Sequence, residues 1–457
     1  MRVLVKPRRF SGLVRIPASK SHTIRQLLIA SLAGGVSEIR YPLDSLDARS
    51  CAAACRVLGA GVTEHRETDP LCPNPADAKG KKLVRYTIRG NGGFTLFRHS
   101  ISSRLIDVGN SGTTLYLALA AAALGSVPFE FTGDGQIRRR SAGPLLEALA
   151  GLGVRAESAN NKGCVPIIIQ GPWKGGAVSL PCPTSQYLSA LLLAAPLAPV
   201  GTITVIKVPL LNEKPYIEMT LSYLQAQGIP FEAAADLSRF VIPGGSSWKP
   251  LSRSVPGDFS SAAFPACAAA VSGGPVTILG LDPDDPQGDK FFFDMLAQMG
   301  CMVEWKHVET DKAAFPGGSE SAWSLTVSRS GPLRGGVFDL NATPDLLPAA
   351  AVTAAFARGD TALVNVAHAR IKETDRVAVM VRELAKLGVN CTERPDGLVI
   401  HGGAGTGISG GAVDGHGDHR IVMAFAAAAL GASGPVGITS AESAAVTYPG
   451  FLELLVH

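Results

Sequence analysis

One pattern recurs along this chain and constrains its fold most: a helix-like run ends at glycine, and a short strand-like run follows. The copies are CRVLGAGVTEH (55–65), LLEALAGLGVRAE (145–157), LSYLQAQGIPFEA (221–233), FFFDMLAQMGCMVEW (291–305) and VRELAKLGVNCTE (381–393), with FLELLVH (451–457) as a sixth helix. Glycine suits the position after a helix because a positive φ costs it little. The copies lie about 70–90 residues apart, which exceeds the period of stacked solenoid repeats. The pattern therefore predicts duplication of a whole α/β unit, grouped as two domains of three units each.

Composition places the chain among large globular proteins and argues against several classes of partner. A length of 457 residues exceeds what one compact core can hold, and 46% hydrophobic with 18% charged residues is typical of a globular protein. A net charge of +4, with 138–140 as the only run of three bases, gives no stripe for nucleic acid. The most apolar stretches, 115–124 and 187–200, are too short or too broken by proline to span a membrane. Eight scattered cysteines without a C-x-x-C pair, and an N-terminus unlike a signal peptide, predict a reducing cytoplasmic setting.

Charge is concentrated in the segment RIKETDR, residues 370–376, which lies between a strand-like run and an amphipathic helical run. Free backbone N–H groups at a helix start bind anions, whereas cations are unfavourable there. Arg370, Lys372 and Arg376 therefore indicate a binding site for an anionic ligand, and the two acids between them have the chemistry for proton transfer. A solvated surface cluster with local salt bridges is the alternative interpretation.

Several other predicted helices begin with glycine, aspartate or a small hydroxyl residue, in most cases close to a base. Their sequences are ASKSHTIRQLLIASLAGG (18–35), DVGNSGTTLYLALAAAAL (107–124), PTSQYLSALLLAAPL (183–197), PGDFSSAAFPACAAA (256–270) and GDHRIVMAFAAAALG (417–431). Each alone is an ordinary capped helix, but together they predict a cleft for multiply anionic ligands. No grouping has metal-ligand or dinucleotide spacing, so Asp375 and Asp418 are predicted to orient arginines.

These blocks resemble the 5-enolpyruvylshikimate-3-phosphate synthase family, the 3-phosphoshikimate 1-carboxyvinyltransferases, over essentially the whole length. The matching blocks, in the family's order, are SKSHTIR, GNSGTT, TSQYLSALLLAAPL, KPYIEMTL, GDFSSAAF, PDLLPAAA, RIKETDR and GDHRIVMA. One such block has little weight, but eight in order are a specific match.

The resemblance implies an α/β fold of two similar domains, each of three βαβαββ units, of the inside-out α/β barrel type. Residues 1–18 and 253–457 would form the first domain and 19–252 the second, with the active-site cleft between them. The implied reaction transfers the enolpyruvyl group of phosphoenolpyruvate to the 5-hydroxyl of shikimate 3-phosphate by addition and elimination, releasing phosphate. No cofactor, metal, nucleic acid or membrane is implied, and we expect a cytoplasmic monomer.

The resemblance also assigns roles to individual residues. The proton-transfer group would be Lys20, Asp345 and Glu373. Shikimate 3-phosphate would be held by Ser21, Arg25, Thr184, Ser185, Gln186, Tyr216 and Lys372. Phosphoenolpyruvate would be held by Lys20, Gly112, Gln136, Arg376 and Arg420.

At some of these places the chain departs from the family pattern. Gln136 stands where many members have an arginine that contacts phosphoenolpyruvate, and Arg138 or Arg140 is a candidate substitute. Val446 replaces a lysine, and Glu213 replaces a serine before the KPY block. Loss of two cations predicts a weaker phosphoenolpyruvate site unless other residues compensate.

Two further readings follow from such departures. Tyr116 and Leu117 replace an arginine and a proline after the glycine-rich turn, so we expect glyphosate to inhibit less than in typical members. A related enolpyruvyl transferase with another acceptor, or a non-catalytic binding homologue, is the alternative function. A sister enzyme acting on a nucleotide sugar is disfavoured, because that family has a Lys-Asn opening and a loop cysteine. This chain has Lys20 and Ser21, and no cysteine in 133–144.

Overall fold

The computed structural model describes residues 1–68, 81–93, 104–159, 162–308, 323–402 and 407–456. The chain divides into two compact units. Unit 1 consists of Met1–Ser19 with Pro256–His457, and unit 2 is Lys20–Val255. The chain thus leaves unit 1 after its first strands, builds all of unit 2, and then returns.

The described residues form the following helices and strands. The helices are α1 Lys20–Leu32, α2 Leu46–Val57, α3 Gly112–Ala122, α4 Gly143–Gly151, α5 Gln186–Ala194, α6 Lys214–Gln227, α7 Phe259–Ser272, α8 Phe291–Gln298, α9 Leu347–Ala354, α10 Arg376–Lys386, α11 His419–Gly431 and α12 Phe451–Val456. The strands are β1 Arg2–Val5, β2 Gly12–Arg15, β3 Gly34–Arg40, β4 Gly61–Thr68, β5 Lys81–Asn91, β6 Leu105–Asp107, β7 Phe129–Thr132, β8 Arg155–Ser158, β9 Ile167–Gln170, β10 Gly176–Ser179, β11 Ile203–Lys207, β12 Glu232–Ala233, β13 Arg239–Pro243, β14 Ser252–Ser254, β15 Val276–Leu279, β16 Cys301–His307, β17 Trp323–Arg329, β18 Leu333–Arg334, β19 Val337–Asp339, β20 Ala357–Arg358, β21 Thr361–Val364, β22 Cys391–Arg394, β23 Gly397–Ile400, β24 Gly411–Val413 and β25 Val436–Thr439.

The described part of unit 2 contains three four-stranded sheets of one design. Their strand orders are β14-β3-β5-β4, β6-β7-β9-β8 and β10-β11-β13-β12. In each sheet the first pair is parallel and the other two pairs are antiparallel. A parallel pair needs a crossover, which α3 and α5 supply in the second and third sheets. The repeated unit is therefore βαβαββ, as predicted.

Unit 1 repeats the design with one variation. Two of its described sheets have the orders β16-β17-β15-β2 and β19-β21-β23-β22, each with one parallel pair at an edge, β15 with β2 and β19 with β21. In the third sheet, β1-β25-β24, strand β1 pairs antiparallel with β25. A short two-stranded sheet joins β18 and β20. The α/β class with two similar units of three repeats is confirmed.

Helices of two kinds alternate in both units. The helices α1, α3 and α5 in unit 2, and α7, α9 and α11 in unit 1, are buried along nearly their whole length. A helix that is apolar all round is stable only in a protein interior, and the alanine-rich sequences allow α7, α9 and α11 to pack against one another. The helices that precede the recurrent glycine lie outside this core with one buried face, as α10 does. No helix among the described residues has both the length and the apolar character needed to cross a membrane.

Close backbone contacts connect the sheets of unit 2 to its buried helices. A β-carbon on Gly90, in β5, would lie 2.1 Å from the carbonyl oxygen of Ala33 and 2.4 Å from that of Ala30. A β-carbon on Gly171, just after β9, would lie 2.4 Å from the carbonyl oxygen of Ala123. These carbonyls belong to the ends of α1 and α3, so two repeats use the same contact. Any larger side chain there would separate helix from sheet.

We therefore expect Gly90→Ala to destabilise the protein by about 1–3 kcal/mol, the usual cost of an overpacked contact. The change would appear as a lower urea midpoint by circular dichroism. Gly331→Ala is the control, because a β-carbon there meets no heavy atom within 4 Å. Equal midpoints for Gly90→Ala and Gly331→Ala would contradict the contact.

Candidate active site

The segment 370–376 divides into a structural part and a site-facing part. Helix α10 begins only at Arg376, and Asp375 caps it by accepting a hydrogen bond from the Ala378 N–H at 3.0 Å. Arg370 donates to the Asp375 carboxylate at 2.8 Å and to the backbone carbonyl of Arg394 at 2.7 Å. The prediction that Asp375 orients an arginine is confirmed. Arg370 is held in local ion pairs, so the surface-cluster interpretation was correct for this residue.

Arg376 is the centre of a group of five charged side chains in unit 1. Its guanidinium contacts Asp345 at 2.8 Å, Glu373 at 2.6 Å and Asp418 at 2.8 Å. Arg420 forms an ion pair with the other oxygen of Asp345 at 2.8 Å. We call these five residues the arginine–carboxylate cluster. Four of them were predicted as site residues, and Asp418 was predicted to orient an arginine, which is confirmed.

Local structure explains why these side chains meet. Asp345 lies in a 3-10 turn, Pro344–Leu346, that leads directly into α9. Asp418 caps α11 by accepting from the Arg420 N–H at 2.9 Å. The starts of the buried helices α9 and α11 and of the outer helix α10 are therefore joined through two guanidinium groups.

Burial makes the cluster electrostatically strong. The side chains of Arg376 and Asp418 are 1% and 0% exposed, whereas that of Asp345 is 23% exposed. Burial alone would raise the pKa of Asp345, but the charges of Arg420, Lys372 and Arg376 lower it well below its usual range. Asp345 is consequently an ionised carboxylate at neutral pH. Lys372 lies close enough for its charge to lower the pKa of Asp345.

Asp289 lies behind this cluster as a fully buried carboxyl group. It accepts a hydrogen bond from the Ser260 hydroxyl, in the first turn of α7. Burial first, and then the negative charge of Asp345, raise the pKa of Asp289 to about 7, against the opposing effect of Arg420. Sequence reasoning missed this residue, because nothing in the QGD stretch indicates that it is buried beside another carboxylate.

In unit 2, Arg25 is the centre of a second group. Its guanidinium donates to Thr220 Oγ1 at 2.9 Å, to Ser189 Oγ at 3.0 Å, and to the carbonyls of Ser21 and Tyr216 at 3.2 Å each. Burial lowers the pKa of Arg25 to about 10, so it remains charged at neutral pH. Ser21, Arg25 and Tyr216 are thus brought together, Ser21 and Tyr216 through their backbone.

Thr184 and Ser185, at the start of α5, meet an unpredicted partner. Their donor groups converge on one carboxylate oxygen of Glu213, Oε2: the Ser185 hydroxyl at 2.7 Å, the Ser185 N–H at 3.0 Å and the Thr184 hydroxyl at 3.2 Å. Gln186 begins the helix, and its N–H donates to Thr184 Oγ1 at 3.5 Å. In the sequence, Glu213 is marked only by its departure from the family pattern.

Lys20, the first residue of α1, pairs with Asp47 in the first turn of α2. The distance from Lys20 Nζ to Asp47 Oδ2 is 3.2 Å, and the lysine side chain remains 17% exposed. The ion pair fixes the ammonium group while leaving part of it accessible. Asp47 was also not predicted, because it lies in an unremarkable helical stretch of the sequence.

Gln136, Arg138 and Arg140 differ in how they lie relative to the glycine-rich turn before α3. Gln136 accepts a hydrogen bond from Asn110 Nδ2 at 2.9 Å, and Arg138 donates to the carbonyl of Gly133 at 3.1 Å. A β-carbon on Gly112 would lie only 2.6 Å from Arg140 Nη1. Of the two candidate substitutes, Arg140 therefore lies against Gly112, at the first residue of α3.

Tyr116, in the first turns of α3, makes an aromatic contact beside this turn. Its ring meets that of Tyr187 edge to face, with centroids 4.9 Å apart. The Tyr187 hydroxyl donates to the backbone carbonyl of Ser141 at 2.6 Å, and the Tyr116 hydroxyl donates to it at 3.4 Å. Where the family pattern has a cation, this chain has an aromatic contact. Val446, the other replacement, lies at the end of a 3-10 turn and is partly exposed.

Comparisons with solved structures identify the fold as that of the enolpyruvyl transferases. The structure of the enolpyruvyl transferase NikO from Streptomyces tendae has a TM-score of 0.73 at 18% identity, covering 100% of this chain and 96% of that one, and shows the fold alone. EPSP synthase from Acinetobacter baumannii has a TM-score of 0.77 at 26% identity, covering 99% and 97%.

Sequence comparisons are more specific. The model of the EPSP synthase (3-phosphoshikimate 1-carboxyvinyltransferase) family matches residues 4–455. The 3-phosphoshikimate 1-carboxyvinyltransferase of Acetivibrio thermocellus is 44% identical over 455 residues, covering 100% of this chain and 97% of that protein. The enzyme of that name from Ruminiclostridium cellulolyticum is 43% identical, covering 97% and 95%. The chain belongs to the EPSP synthase family.

The raised pKa of Asp289 predicts a specific pH dependence of stability. An unfolded aspartate titrates near about 3.9, so between that pH and about 7 the folded protein binds the proton more tightly. Stability from this group is therefore present at low pH and lost as the pH rises through 7. The parent should therefore lose stability relative to Asp289→Asn as the pH rises. We expect the difference in the free energy of unfolding to grow by about 1–3 kcal/mol between pH 5 and pH 8.

The measurement is the urea midpoint at each pH. Asp294→Asn, on the exposed face of α8, is the matched control. Parallel profiles for the parent protein and Asp289→Asn would show that Asp289 does not titrate in this range.

Proposed function

We propose that this protein transfers the enolpyruvyl group of phosphoenolpyruvate to the 5-hydroxyl of shikimate 3-phosphate, releasing phosphate. The observation that carries the proposal is the arginine–carboxylate cluster, found in a chain that belongs to the EPSP synthase family. It combines ionised carboxylates with buried guanidinium groups, which is the chemistry needed to hold an anionic substrate beside proton-transfer groups. A cytoplasmic location and a monomeric state stay predictions.

The phosphoenolpyruvate contacts are proposed for Arg376 and Arg420, with Lys20 and Gly112. Burial raises no obstacle to charge here, since both guanidinium groups stay protonated beside their carboxylates. Fixed guanidinium groups also avoid the reorganisation that water would need. Each arginine is already oriented by an ion pair with Asp345, so the substrate meets cations whose positions are set in advance.

The proton transfers are proposed for Asp345, Glu373 and Lys20. Addition requires a proton on the methylene carbon and removal of one from the acceptor hydroxyl, and elimination removes the carbon proton again. Asp345 is assigned to the hydroxyl proton because it is ionised beside its cationic neighbours, and the lowered pKa means that it is a weak base whose contribution lies mainly in its fixed position. Glu373 and Lys20 remain for the transfers at carbon, where a group must both give and take a proton.

Shikimate 3-phosphate is proposed to bind Ser21, Arg25, Tyr216 and the start of α5, with Lys372 assisting. The hydroxyl and N–H donors of Thr184 and Ser185, which bond to Glu213 in this structure, support this assignment because donors of this kind suit a phosphate.

Arg140, rather than Gln136, is proposed as the additional cation for phosphoenolpyruvate. Gln136 has a hydrogen bond with Asn110 and carries no charge. Arg140 lies against Gly112, another proposed contact of this substrate. The apparent loss of a cation at Gln136 is thereby offset by a residue four positions later.

The central test is phosphate release from phosphoenolpyruvate and shikimate 3-phosphate. We expect turnover by the parent protein, and a loss of at least about 100-fold in Lys20→Ala and Glu373→Ala, because each removes a proposed proton-transfer group. Circular dichroism would show that these variants fold. The controls are Lys249→Ala and Glu304→Ala, at exposed positions. Absence of release from the parent beside an active relative would refute the proposed function.

A second test compares two neighbouring arginines. We expect Arg140→Ala to raise the KM for phosphoenolpyruvate by about 10- to 100-fold, the effect of losing a charged hydrogen bond. Arg138→Ala, whose guanidinium binds the Gly133 carbonyl, is expected to change the KM by no more than about twofold. The opposite ranking would return the role to Arg138.

A further inference from the structure

The start of α5 carries donors that already hold an anion belonging to the protein. Glu213 Oε2 accepts from the Ser185 hydroxyl, the Ser185 N–H and the Thr184 hydroxyl, at 2.7, 3.0 and 3.2 Å. Three converging donors at a helix start are the arrangement that a phosphate oxygen would use. The carboxylate therefore lies where the proposed function requires an oxygen of the acceptor's phosphate.

Glu213 is not a mobile surface side chain that swings in by chance. It is 2% exposed, and its backbone has φ 58° and ψ 43° in the left-handed region, which is uncommon for a residue other than glycine. It occupies the N-cap position of α6 without capping that helix through its side chain. Its carboxylate is instead directed across to α5, 28 residues away in sequence from Ser185.

The negative charge of Glu213 also acts on Arg25. Glu213 favours the charged form of Arg25, whose guanidinium is otherwise hydrogen-bonded to hydroxyl and carbonyl oxygens. Unit 2 thus supplies a negative charge of its own beside the arginine and hydroxyl groups assigned to the acceptor. A phosphate that bound to these donors would have to displace this carboxylate and would be repelled by it, whereas an acceptor without phosphate would meet neither cost.

We propose that Glu213 is a specificity-determining residue that competes with the acceptor's phosphate for the donors of Thr184 and Ser185. The proposal rests on the proposed function for the identity of the acceptor. Its consequence is that the 3-phosphate contributes little to acceptor binding in this chain. The protein discriminates weakly between shikimate 3-phosphate and shikimate, and removal of the Glu213 charge restores the discrimination.

The test is titration calorimetry of the full chain with each acceptor alone, which needs no turnover. The quantity compared is the ratio of the Kd for shikimate to the Kd for shikimate 3-phosphate. Glu213→Gln removes the charge at nearly constant shape, and Glu213→Ser also frees the donors. We expect the ratio to rise about 10- to 100-fold in both, and more in Glu213→Ser.

Two controls keep the result specific. Glu213→Asp retains the charge and is expected to leave the ratio within about threefold of the parent. Glu218→Gln removes a carboxylate from the exposed face of the same helix and is expected to change nothing. Using two replacements at position 213 keeps the test valid if one of them fails to fold.

The outcomes separate this proposal from the proposed function. An unchanged or lower ratio in both neutral variants overturns the role of Glu213, even if the parent protein releases phosphate normally. A raised ratio supports it, even if the parent fails the phosphate-release assay. Failure of every variant to bind shikimate 3-phosphate overturns it as well, since freed donors would then not be a phosphate site.

Discussion

The buried guanidinium of Arg376 is the constraint on which the rest of unit 1 depends. It is held by three carboxylates that come from different parts of the chain, Asp345, Glu373 and Asp418. A buried charge is tolerated only when partners surround it, so the turns that carry these carboxylates must converge for the unit to fold. The same convergence places Arg420 and an ionised Asp345 at one place. Stability and the proposed chemistry therefore make the same demand on this sequence.

Unit 2 meets a similar demand by different means. Arg25 is buried with hydroxyl and carbonyl partners, and the carboxylate in its surroundings, that of Glu213, bonds to the neighbouring helix start instead. In unit 1 the carboxylates orient the cations that would bind substrate. In unit 2 one carboxylate takes up the donors that would bind substrate. The two units thus use buried carboxylates in different ways.

The fold could be predicted because its signals are local. A glycine after each outer helix and alternating strand runs are legible in a single sequence, and they gave the repeats correctly. The charged turn at 370–376 was also recognisable. Which of its residues form local ion pairs and which face the site was not. Whether Arg370 or Arg376 faces inward depends on where helix α10 begins, and it begins only at Arg376.

Other site features depend on contacts between distant segments. Nothing in the sequence around Glu213 indicates that it bonds to residues 28 and 29 positions earlier. Asp289 lies beside Asp345 because the 3-10 turns that carry these two residues both pack against α7. At 136–140 the spacing alone left several residues open, because a 3-10 turn, Ile137–Arg139, decides which side chain reaches Gly112.

The pairing of β14 with β3 has a consequence for the order of events during synthesis. Ser254 and Arg40 are hydrogen-bonded across 214 positions, so the first sheet of unit 2 is incomplete until the last residues of that unit have been made. Strand β2 pairs with β15, which follows the whole of unit 2 in the sequence. The partner of β2 is therefore made even later. Such distant pairings slow folding, and a nascent chain emerges from its N-terminus onward. Unit 2 can therefore fold while the first 19 residues still lack their partners, and β1 and β2 join two different sheets only after β25 and β15 have been made.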